Sequence, residues 1–231
     1  MKVRVILLEP ESAGNIGSVA RSMKNFGQDD LWIINPKTPI DTQARALAMH
    51  GYDVLSSAKI MHDLEKALIG IDILVGTTAV TARSSTNVVR TAATPKELAF
   101  ALSSTRGNVA LIFGRESSGL TNQEIECCDL LVTIPANRAY NVLNLSTAVS
   151  IILYEIFQQD RHGNDLTLAT SAARQKLLEQ FERVVILSGT LVHKRKLAIR
   201  AFRNVTSRSF LSTREASLLI GVFRKAASRL E

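Results

Sequence analysis

Cysteine is scarce in this chain, since only Cys127 and Cys128 occur among its 231 residues. Adjacent cysteines rarely form a disulfide with each other, because the geometry is strained. No second pair is present to complete a zinc site or a disulfide framework. We therefore expect both cysteines to be reduced and to lie on a helix.

Long apolar runs are also missing. No stretch reaches the ~20 apolar residues that a membrane-spanning helix needs. The first residues, MKVRVILLEP, have a basic start, but the apolar run is too short for a signal peptide and predicts a β-strand. The sequence therefore predicts a cytoplasmic protein without a membrane partner.

The common phosphate-binding loops are absent as well. Residues 11–27 follow the first apolar run, but Gly14 and Gly17 form only G-x-x-G, and Asn35 stands where a dinucleotide-binding chain carries an acid. No Lys-Ser/Thr pair follows these glycines, so a Walker A loop is excluded. A nicotinamide-dependent dehydrogenase is disfavoured on the same grounds.

Positive charge, in contrast, is concentrated at one end of the chain. The net charge is +7, yet residues 171–231 contain 13 Lys and Arg against 4 Asp and Glu. Residues 193–208 are the densest basic stretch. A solvated helical face would account for part of this charge, but an excess of this size favours a polyanionic partner such as nucleic acid.

The first two-thirds of the chain alternates apolar runs with segments of helical period. This pattern predicts an α/β fold with a parallel sheet and helices on both faces. A short piece at 53–55 could add a strand. The predicted strands are 3–8, 31–35, 72–77, 108–114 and 130–135. The predicted helices are 17–26, 41–49, 63–69, 95–103, 121–127 and 143–159.

The end of the chain reads as a separate helical unit. Residues 158–166 are polar and predict a linker, after which two or three helices follow. Ser212 and Glu215 form a capping-box pattern at the start of the last helix. The apolar residues of that helix then recur at helical spacing, which predicts one buried face.

Three polar loops follow predicted strands, at residues 11–27, 113–121 and 134–149. The carboxyl ends of parallel strands share one sheet edge, where ligands bind, so we expect these loops to meet there. In the first loop, Ser18 could cap a helix with Arg21 in its first turn, which would make an oxyanion site. A plain loop with a solvated arginine is the alternative.

These loops, GNIGSVAR, FGRESSGLT and IPANRAYNVLNLSTAV, resemble the three motifs of the SPOUT superfamily of RNA methyltransferases. Within it, the chain is most similar to the SpoU/TrmH family and its TrmJ-like tRNA (cytidine/uridine) 2′-O-methyltransferases. The resemblance covers residues 3–159. It implies a deep trefoil knot, a homodimer, a methyltransferase domain at 1–162, and a basic helical extension at 163–231 that docks RNA or tightens the dimer.

The resemblance also implies S-adenosylmethionine as the methyl donor, held mostly by backbone groups in the knot. Many relatives carry serine at the position of Val142, so a hydroxyl role there is impossible in this chain, although backbone binding would survive. The implied cofactor contacts are Thr77, Thr78, Ala79, Gly114, Ile134, Asn141, Val142 and Leu143.

Four residues match the catalytic positions of the family. Arg21 is implied to clamp the substrate phosphate and orient the attacking hydroxyl; an arginine with a pKa above ~12 is a poor general base. Asn15 would hold the loop or the target ribose. Glu116 would orient Arg21 or build the pocket, unless it is only a helix-terminus charge. Asn144 would act in the site or serve as an ordinary helix cap.

The resemblance implies methylation of a ribose 2′-hydroxyl in RNA, with the tRNA anticodon loop as the target. An rRNA ribose methyltransferase is the alternative within the same class, and a non-catalytic nucleic-acid-binding protein is the alternative outside it. The basic extension would bind RNA phosphates. The residues expected to do so are Lys194, Arg195, Lys196, Arg200 and Arg203.

Overall fold

A computed structural model shows an α/β body followed by three long helices. It describes residues 2–79, 92–103, 105–137, 139–159, 166–209 and 211–231. Most of the predicted linker at 158–166 lies outside the described residues, and so does the expected boundary between 162 and 163. No helix in the described part of the chain is both long and apolar enough to cross a bilayer.

The body is built on a six-stranded sheet with the order β3-β2-β1-β6-β4-β7. Every neighbouring pair in this sheet is parallel, as the apolar runs predict. Strands β1 and β6 lie at the centre of the sheet. Strands β2 and β3 lie beyond β1, and strands β4 and β7 lie beyond β6. The strands are β1 (Val3–Leu8), β2 (Asp30–Ile34), β3 (Lys59–Met61), β4 (Ile73–Thr77), β6 (Val109–Phe113) and β7 (Leu130–Val132).

Helices cover both faces of the sheet, which confirms the predicted fold class. One core joins α1, α2, α3, α5 and α7 to one face, and a second core joins α4 and α6 to the other. A 3₁₀ turn at Met49–Gly51 separates α2 from α3. The helices are α1 (Ala13–Asn25), α2 (Thr42–Ala48), α3 (Tyr52–Ser56), α4 (Leu64–Ala67), α5 (Pro95–Ser103), α6 (Asn122–Cys127) and α7 (Leu145–Gln159).

The end of the chain forms α8 (Ser171–Leu187), α9 (Val192–Arg208) and α10 (Thr213–Leu230). The rings of Phe181 and Phe202 stack with centroids 4.0 Å apart, and Phe223 packs edge-on against both. Ser212 and Glu215 cap α10 reciprocally, which confirms the predicted helix start. Two short strands, β5 (Thr105–Arg106) and β8 (Leu166–Thr167), pair in parallel.

Two short apolar segments differ from the sequence prediction. The possible strand at 53–55 is wrong, because these residues belong to α3, where Val54 and Leu55 are both buried. The strand at this end of the sheet is instead β3, which pairs with β2. Its side chains are exposed or half-buried, so it carries no apolar run that would mark it.

Candidate active site

The first motif is a helix rather than a loop. Helix α1 begins at Ala13, and the Ser12 side chain accepts a hydrogen bond from the backbone N–H of Asn15. The prediction that Ser18 caps this helix is therefore wrong, and Arg21 lies in the third turn instead of the first. A phosphate site formed by this helix start together with Arg21 is excluded by that distance along the helix.

The glycines of the first motif allow two helices to touch. A Cβ on Gly17 would lie 2.0 Å from the carbonyl oxygen of Ala44 in α2, and one on Gly14 would lie 3.0 Å from Leu47. Gly51 also allows a close backbone approach to α1, because a Cβ on Gly51 would lie 2.7 Å from the Arg21 Cα. These glycines fix the packing of α1 and do not cradle a phosphate.

The three motifs nevertheless meet at the carboxyl edge of the sheet, as predicted. The second and third motifs, together with residues 77–79 at the end of β4, line a cavity of about 300 Å³, and the first motif joins them through a hydrogen bond between Asn15 and Glu116. Buried apolar side chains such as Leu120, Ile125 and Val132 form part of its wall. All eight residues expected at the cofactor line this one cavity: Thr77, Thr78, Ala79, Gly114, Ile134, Asn141, Val142 and Leu143.

The second motif forms one wall of the cavity as a closed loop. Arg115 and Gly119 exchange two backbone hydrogen bonds, of 3.2 and 2.8 Å. Gly119 has a φ of +69°, and a Cβ on Gly114 would lie 2.2 Å from the Gly119 carbonyl carbon. Glycine is required at both positions, because one needs a left-handed backbone and the other a close approach.

A partly buried ion-pair network braces this loop. The Arg115 guanidinium contacts the carboxylates of Glu9, at the end of β1, and Glu124, in α6, at 3.1 to 3.2 Å. Hydrogen bonds from Arg115 and Lys37 lower the pKa of the Glu9 carboxyl. Burial opposes a low pKa at Glu124, but hydrogen bonds from Arg115 and Thr121 outweigh it and the pKa is lowered.

Arg115 was not predicted as a site residue. The signal that could have found it is an arginine between two glycines directly after a fully buried strand, with acidic residues nearby in the chain. Its acidic partners lie 106 and 9 residues away, so the pairing itself follows only from the fold.

The third motif closes the cavity against β4. The Asn141 Nδ2 donates to the carbonyl oxygen of Ala79 at 2.7 Å, and the Thr77 hydroxyl donates to the Ile112 carbonyl at 3.1 Å. Val142, which replaces the family serine, is half-exposed. The backbone in this segment therefore stays near β4 without any side-chain hydroxyl at position 142.

Three of the predicted catalytic residues form one hydrogen-bonded chain. The Asn144 Nδ2 donates to Asn15 Oδ1 at 2.8 Å, and the Asn15 Nδ2 donates to Glu116 Oε1 at 3.1 Å. The Glu116 carboxylate also accepts the backbone N–H groups of Glu11 and Ser12, at 2.7 and 3.2 Å. Residues from all three motifs are thus joined at the rim of the cavity.

Asn144 serves a second purpose that the sequence left open. Its Oδ1 accepts hydrogen bonds from the backbone N–H and the hydroxyl of Ser146, at the start of α7. It therefore caps α7 with its oxygen and donates to Asn15 with its nitrogen. The helix-cap and site interpretations of Asn144 both fit this geometry.

Arg21 is not joined to this chain of residues. Its side chain is exposed, and it makes no hydrogen bond or ion pair with any residue that the structure describes. Lys24, one turn further along α1, differs because it pairs with Asp53. Arg21 therefore has no partner among the described residues and is available to a group outside this chain.

The five basic residues expected at RNA fall into two groups. Lys194 and Lys196 are exposed on α9, and the Arg195 Nε donates to the Thr190 carbonyl at 3.0 Å. Arg200 and Arg203 instead point at the end of α6 and donate to the Glu126 carbonyl at 2.8 and 3.1 Å.

Sequence comparison finds relatives that share these motifs. The profile of the SpoU rRNA Methylase family matches residues 2–154. A tRNA (cytidine-2′-O-)-methyltransferase TrmJ from Methanocaldococcus jannaschii is 35% identical over 96% of this chain and 98% of that one. A tRNA (cytidine/uridine-2′-O-)-methyltransferase TrmJ from Cronobacter sakazakii is 43% identical over 67% of this chain and 62% of that one.

Structural comparison agrees with the sequence relationship. A probable methylase family protein from Haemophilus influenzae Rd KW20 superposes with a TM-score of 0.70 at 28% identity. The match covers 99% of this chain and 97% of that one, so the similarity extends over the C-terminal helices as well as the sheet.

Proposed function

The chain belongs to the SpoU rRNA methylase family, and on that premise we propose that it transfers a methyl group from S-adenosylmethionine to a ribose 2′-hydroxyl of tRNA. The observation that carries the proposal is one cavity lined by the second and third motifs, to which the Asn15–Glu116–Asn144 chain joins the first motif. The relatives named as tRNA 2′-O-methyltransferases support tRNA as the substrate.

The residues around the cavity fit S-adenosylmethionine in size and polarity. A volume of about 300 Å³ is within the range of small-ligand sites, and such sites combine apolar walls with a few fixed polar groups. Ile134, Leu120 and Ile125 offer apolar surface, while the Gly114 and Leu143 backbones and the Thr78 side chain offer polar groups. When bound, this cofactor would supply a methyl group on an electrophilic sulfonium.

The protein's own contribution would be alignment of the attacking hydroxyl with the methyl group. A methyl transfer needs the attacking oxygen in line with the breaking bond, so a fixed acceptor position lowers the barrier. Asn15 and Asn144 would hold the ribose, because their amides are already fixed by Glu116 and by the start of α7. The Glu116 carboxylate would act as the anchor of this arrangement.

Arg21 would bind the phosphate next to the target ribose and orient the hydroxyl. A guanidinium matches a phosphate through two parallel hydrogen bonds. Its exposure and its lack of a partner among the described residues leave it available for that contact. We propose a homodimer in which Arg21 of one protomer faces the cavity of the other, as the family resemblance implies.

We further propose that residues 1–162 form the methyltransferase domain and contain the trefoil knot of the family. The contact between Asn141 and Ala79, which binds the third motif to the end of β4, supports a tightly threaded segment there. Residues 163–231 would contribute the basic surface for tRNA. An rRNA target remains the alternative substrate, and a nucleic-acid-binding protein without catalysis would leave the cavity unexplained.

Transfer of labelled methyl from S-adenosylmethionine tests this function. Unmodified tRNA and rRNA would be offered separately to the full-length protein, and the labelled RNA would be counted. The proposal predicts label in tRNA and background counts in rRNA. Label in rRNA alone would replace the substrate, and no label in either RNA despite binding would favour the non-catalytic alternative.

A further inference from the structure

The basic helices α8 and α9 contact one short segment of the body, residues 125–129, which we name the docking segment. Arg200 donates from Nη1 to the Glu126 carbonyl at 2.8 Å and from Nη2 to the Ile125 carbonyl at 3.4 Å. Arg203 donates to the same Glu126 carbonyl at 3.1 Å. From α8, the Arg174 guanidinium pairs with the Asp129 carboxylate at 3.4 Å.

These contacts supply hydrogen-bond donors to the Glu126 carbonyl at the end of α6, whereas the Ile125 carbonyl also accepts the Cys128 backbone N–H at 3.2 Å. The last carbonyls of a helix have no partner within it, and basic side chains can supply the missing hydrogen bonds. On α9, Arg200 lies four positions and Arg203 seven positions after Lys196, and the two arginines lie on one face of the helix. This face contacts the end of α6.

The guanidinium groups are withdrawn from solvent at this contact. The Nε atoms of Arg174, Arg200 and Arg203 are buried and have no partner among the described residues. Burial lowers the pKa of the Arg200 guanidinium below its ordinary value. A phosphate that bound the same Nη atoms of these two α9 arginines would compete with the Glu126 carbonyl.

The other side of the docking segment forms the cofactor cavity. Ile125, whose carbonyl receives Arg200, lines the cavity with its side chain. Cys128 packs against β4, since a Cβ on Gly76 would lie 2.6 Å from the Cys128 Sγ. The Leu74 N–H donates to the Asp129 carboxylate, and the Asp129 N–H donates to the Leu74 carbonyl, both at 2.9 Å.

We propose that Arg200 and Arg203 are positioning residues: they seat the basic helices on the docking segment and thereby hold the Ile125 wall of the cavity in place. The proposal rests on the proposed function, because it takes this cavity to be the S-adenosylmethionine site. It assigns RNA binding on α9 to the exposed Lys194 and Lys196 rather than to these two arginines.

The test is a full-length R200K/R203K variant, which keeps both charges but removes the fork that reaches two carbonyls. Loss of such hydrogen bonds is expected to raise the KM for S-adenosylmethionine about fivefold, while kcat at saturating cofactor stays within about twofold. The control is K194Q/K196Q, which removes two exposed charges from the same helix and should leave the Kd for S-adenosylmethionine, measured by calorimetry without RNA, unchanged.

A second readout needs neither cofactor nor RNA. Cys128 is buried, and burial raises the pKa of its thiol to about 12, so labelling requires local opening of the docking segment. In a C127S background, we expect R200K/R203K to speed labelling of Cys128 by about fivefold. K194Q/K196Q should leave the rate at the parental value.

The outcomes separate the inference from the proposed function. Parental protein that binds no S-adenosylmethionine would overturn the function, and the positioning claim with it, whatever the labelling rate. Parental binding with an unchanged KM in R200K/R203K would overturn the positioning claim alone. If the rate of Cys128 labelling were also unchanged, the two arginines would not dock the helices. They would then be assigned to RNA contact instead.

Discussion

The role proposed for Arg21 can be tested directly by substitution. Arg21 makes no hydrogen bond or ion pair within the described ranges of the chain, whereas Lys24 on the same helix is paired with Asp53. We expect R21A to slow methyl transfer by about 10²–10³-fold, because a charge-stabilising donor at the reacting centre is lost. Binding of S-adenosylmethionine, measured by calorimetry, should stay within about twofold. K24A is the matched control, and turnover in K24A should equal the parental rate.

Equal loss of turnover in R21A and K24A would show that the number of positive charges on α1 matters and that the position of Arg21 does not. A parental rate in R21A would contradict its assignment as phosphate clamp and hydroxyl orienter.

Glycine at position 17 is required for packing, and we expect G17A to destabilise the protein by about 3 kcal/mol. The added Cβ would lie 2.0 Å from the Ala44 carbonyl oxygen, so α1 and α2 must separate. G221A is the control, because nothing lies within 4 Å of a Cβ on Gly221 in α10. It should stabilise the helix by about 0.5–1 kcal/mol. Chemical denaturation measures both, and effects of the same sign would contradict this account.

These glycines also show where residue-level reasoning fails. Gly14 and Gly17 suggest a loop because glycine interrupts helices in general, and Ser18 then appears to be the first cap. The partner that explains them, α2, lies 27 or more positions further along the chain. The correct cap, Ser12, follows only once both glycines are placed inside the helix.

At the scale of elements, the second-motif loop depends on the pairing of Arg115 with Glu9 and Glu124. Both carboxyls have a pKa below the ordinary 4.5 in the folded protein. Their contribution to stability is therefore complete above about pH 4.5 and is lost as the pH falls through the lowered values. R115Q should cost about 2 kcal/mol of unfolding free energy at pH 7, since charged hydrogen bonds are lost.

The difference between R115Q and the parental protein should shrink as the pH falls from 4.5 towards 3, measured by urea denaturation at each pH. R183Q is the control, because Arg183 pairs with Glu231 at a site that is about half exposed. Such a pair contributes little, so we expect a change below about 0.5 kcal/mol. A cost for R115Q that is constant with pH would contradict the role given to its carboxylate partners.

Elements with a strong local signal were predictable, and the others were not. Strand β6 is a fully buried apolar run, and α10 starts with a capping box, so both follow from the sequence. Strand β3 has exposed side chains, and α3 has only two buried apolar residues in five, so neither has a period that a local pattern could detect. Packing against neighbours decides such segments.

At the scale of the whole molecule, charge and chemistry are divided between the two ends of the chain. Two of the predicted loops line one cavity and the first is hydrogen-bonded to them, whereas the positive excess lies in residues 171–231. The sequence indicates both features, because motif order and charge counts need no coordinates. It could not indicate that Arg200 and Arg203 face α6, since that contact joins residues more than 70 positions apart.

This division predicts different salt dependence for the two ligands. Binding of tRNA releases counterions from each contacted phosphate, so we expect its Kd to rise at least about tenfold between 50 and 200 mM salt. The cavity is lined largely by apolar side chains and backbone groups, so the Kd for S-adenosylmethionine should change by less than about twofold. Filter binding and calorimetry measure the two, and a salt-insensitive tRNA affinity would contradict phosphate binding by the basic helices.

The most direct test of the central claim is alkaline hydrolysis of tRNA that the protein has methylated with labelled S-adenosylmethionine. A methyl group on the ribose 2′-oxygen removes the nucleophile that cleaves the neighbouring phosphodiester. We expect the label to be recovered in alkali-stable dinucleotides. Label recovered in single nucleotides would place the methyl group on a base and would contradict 2′-O-methylation.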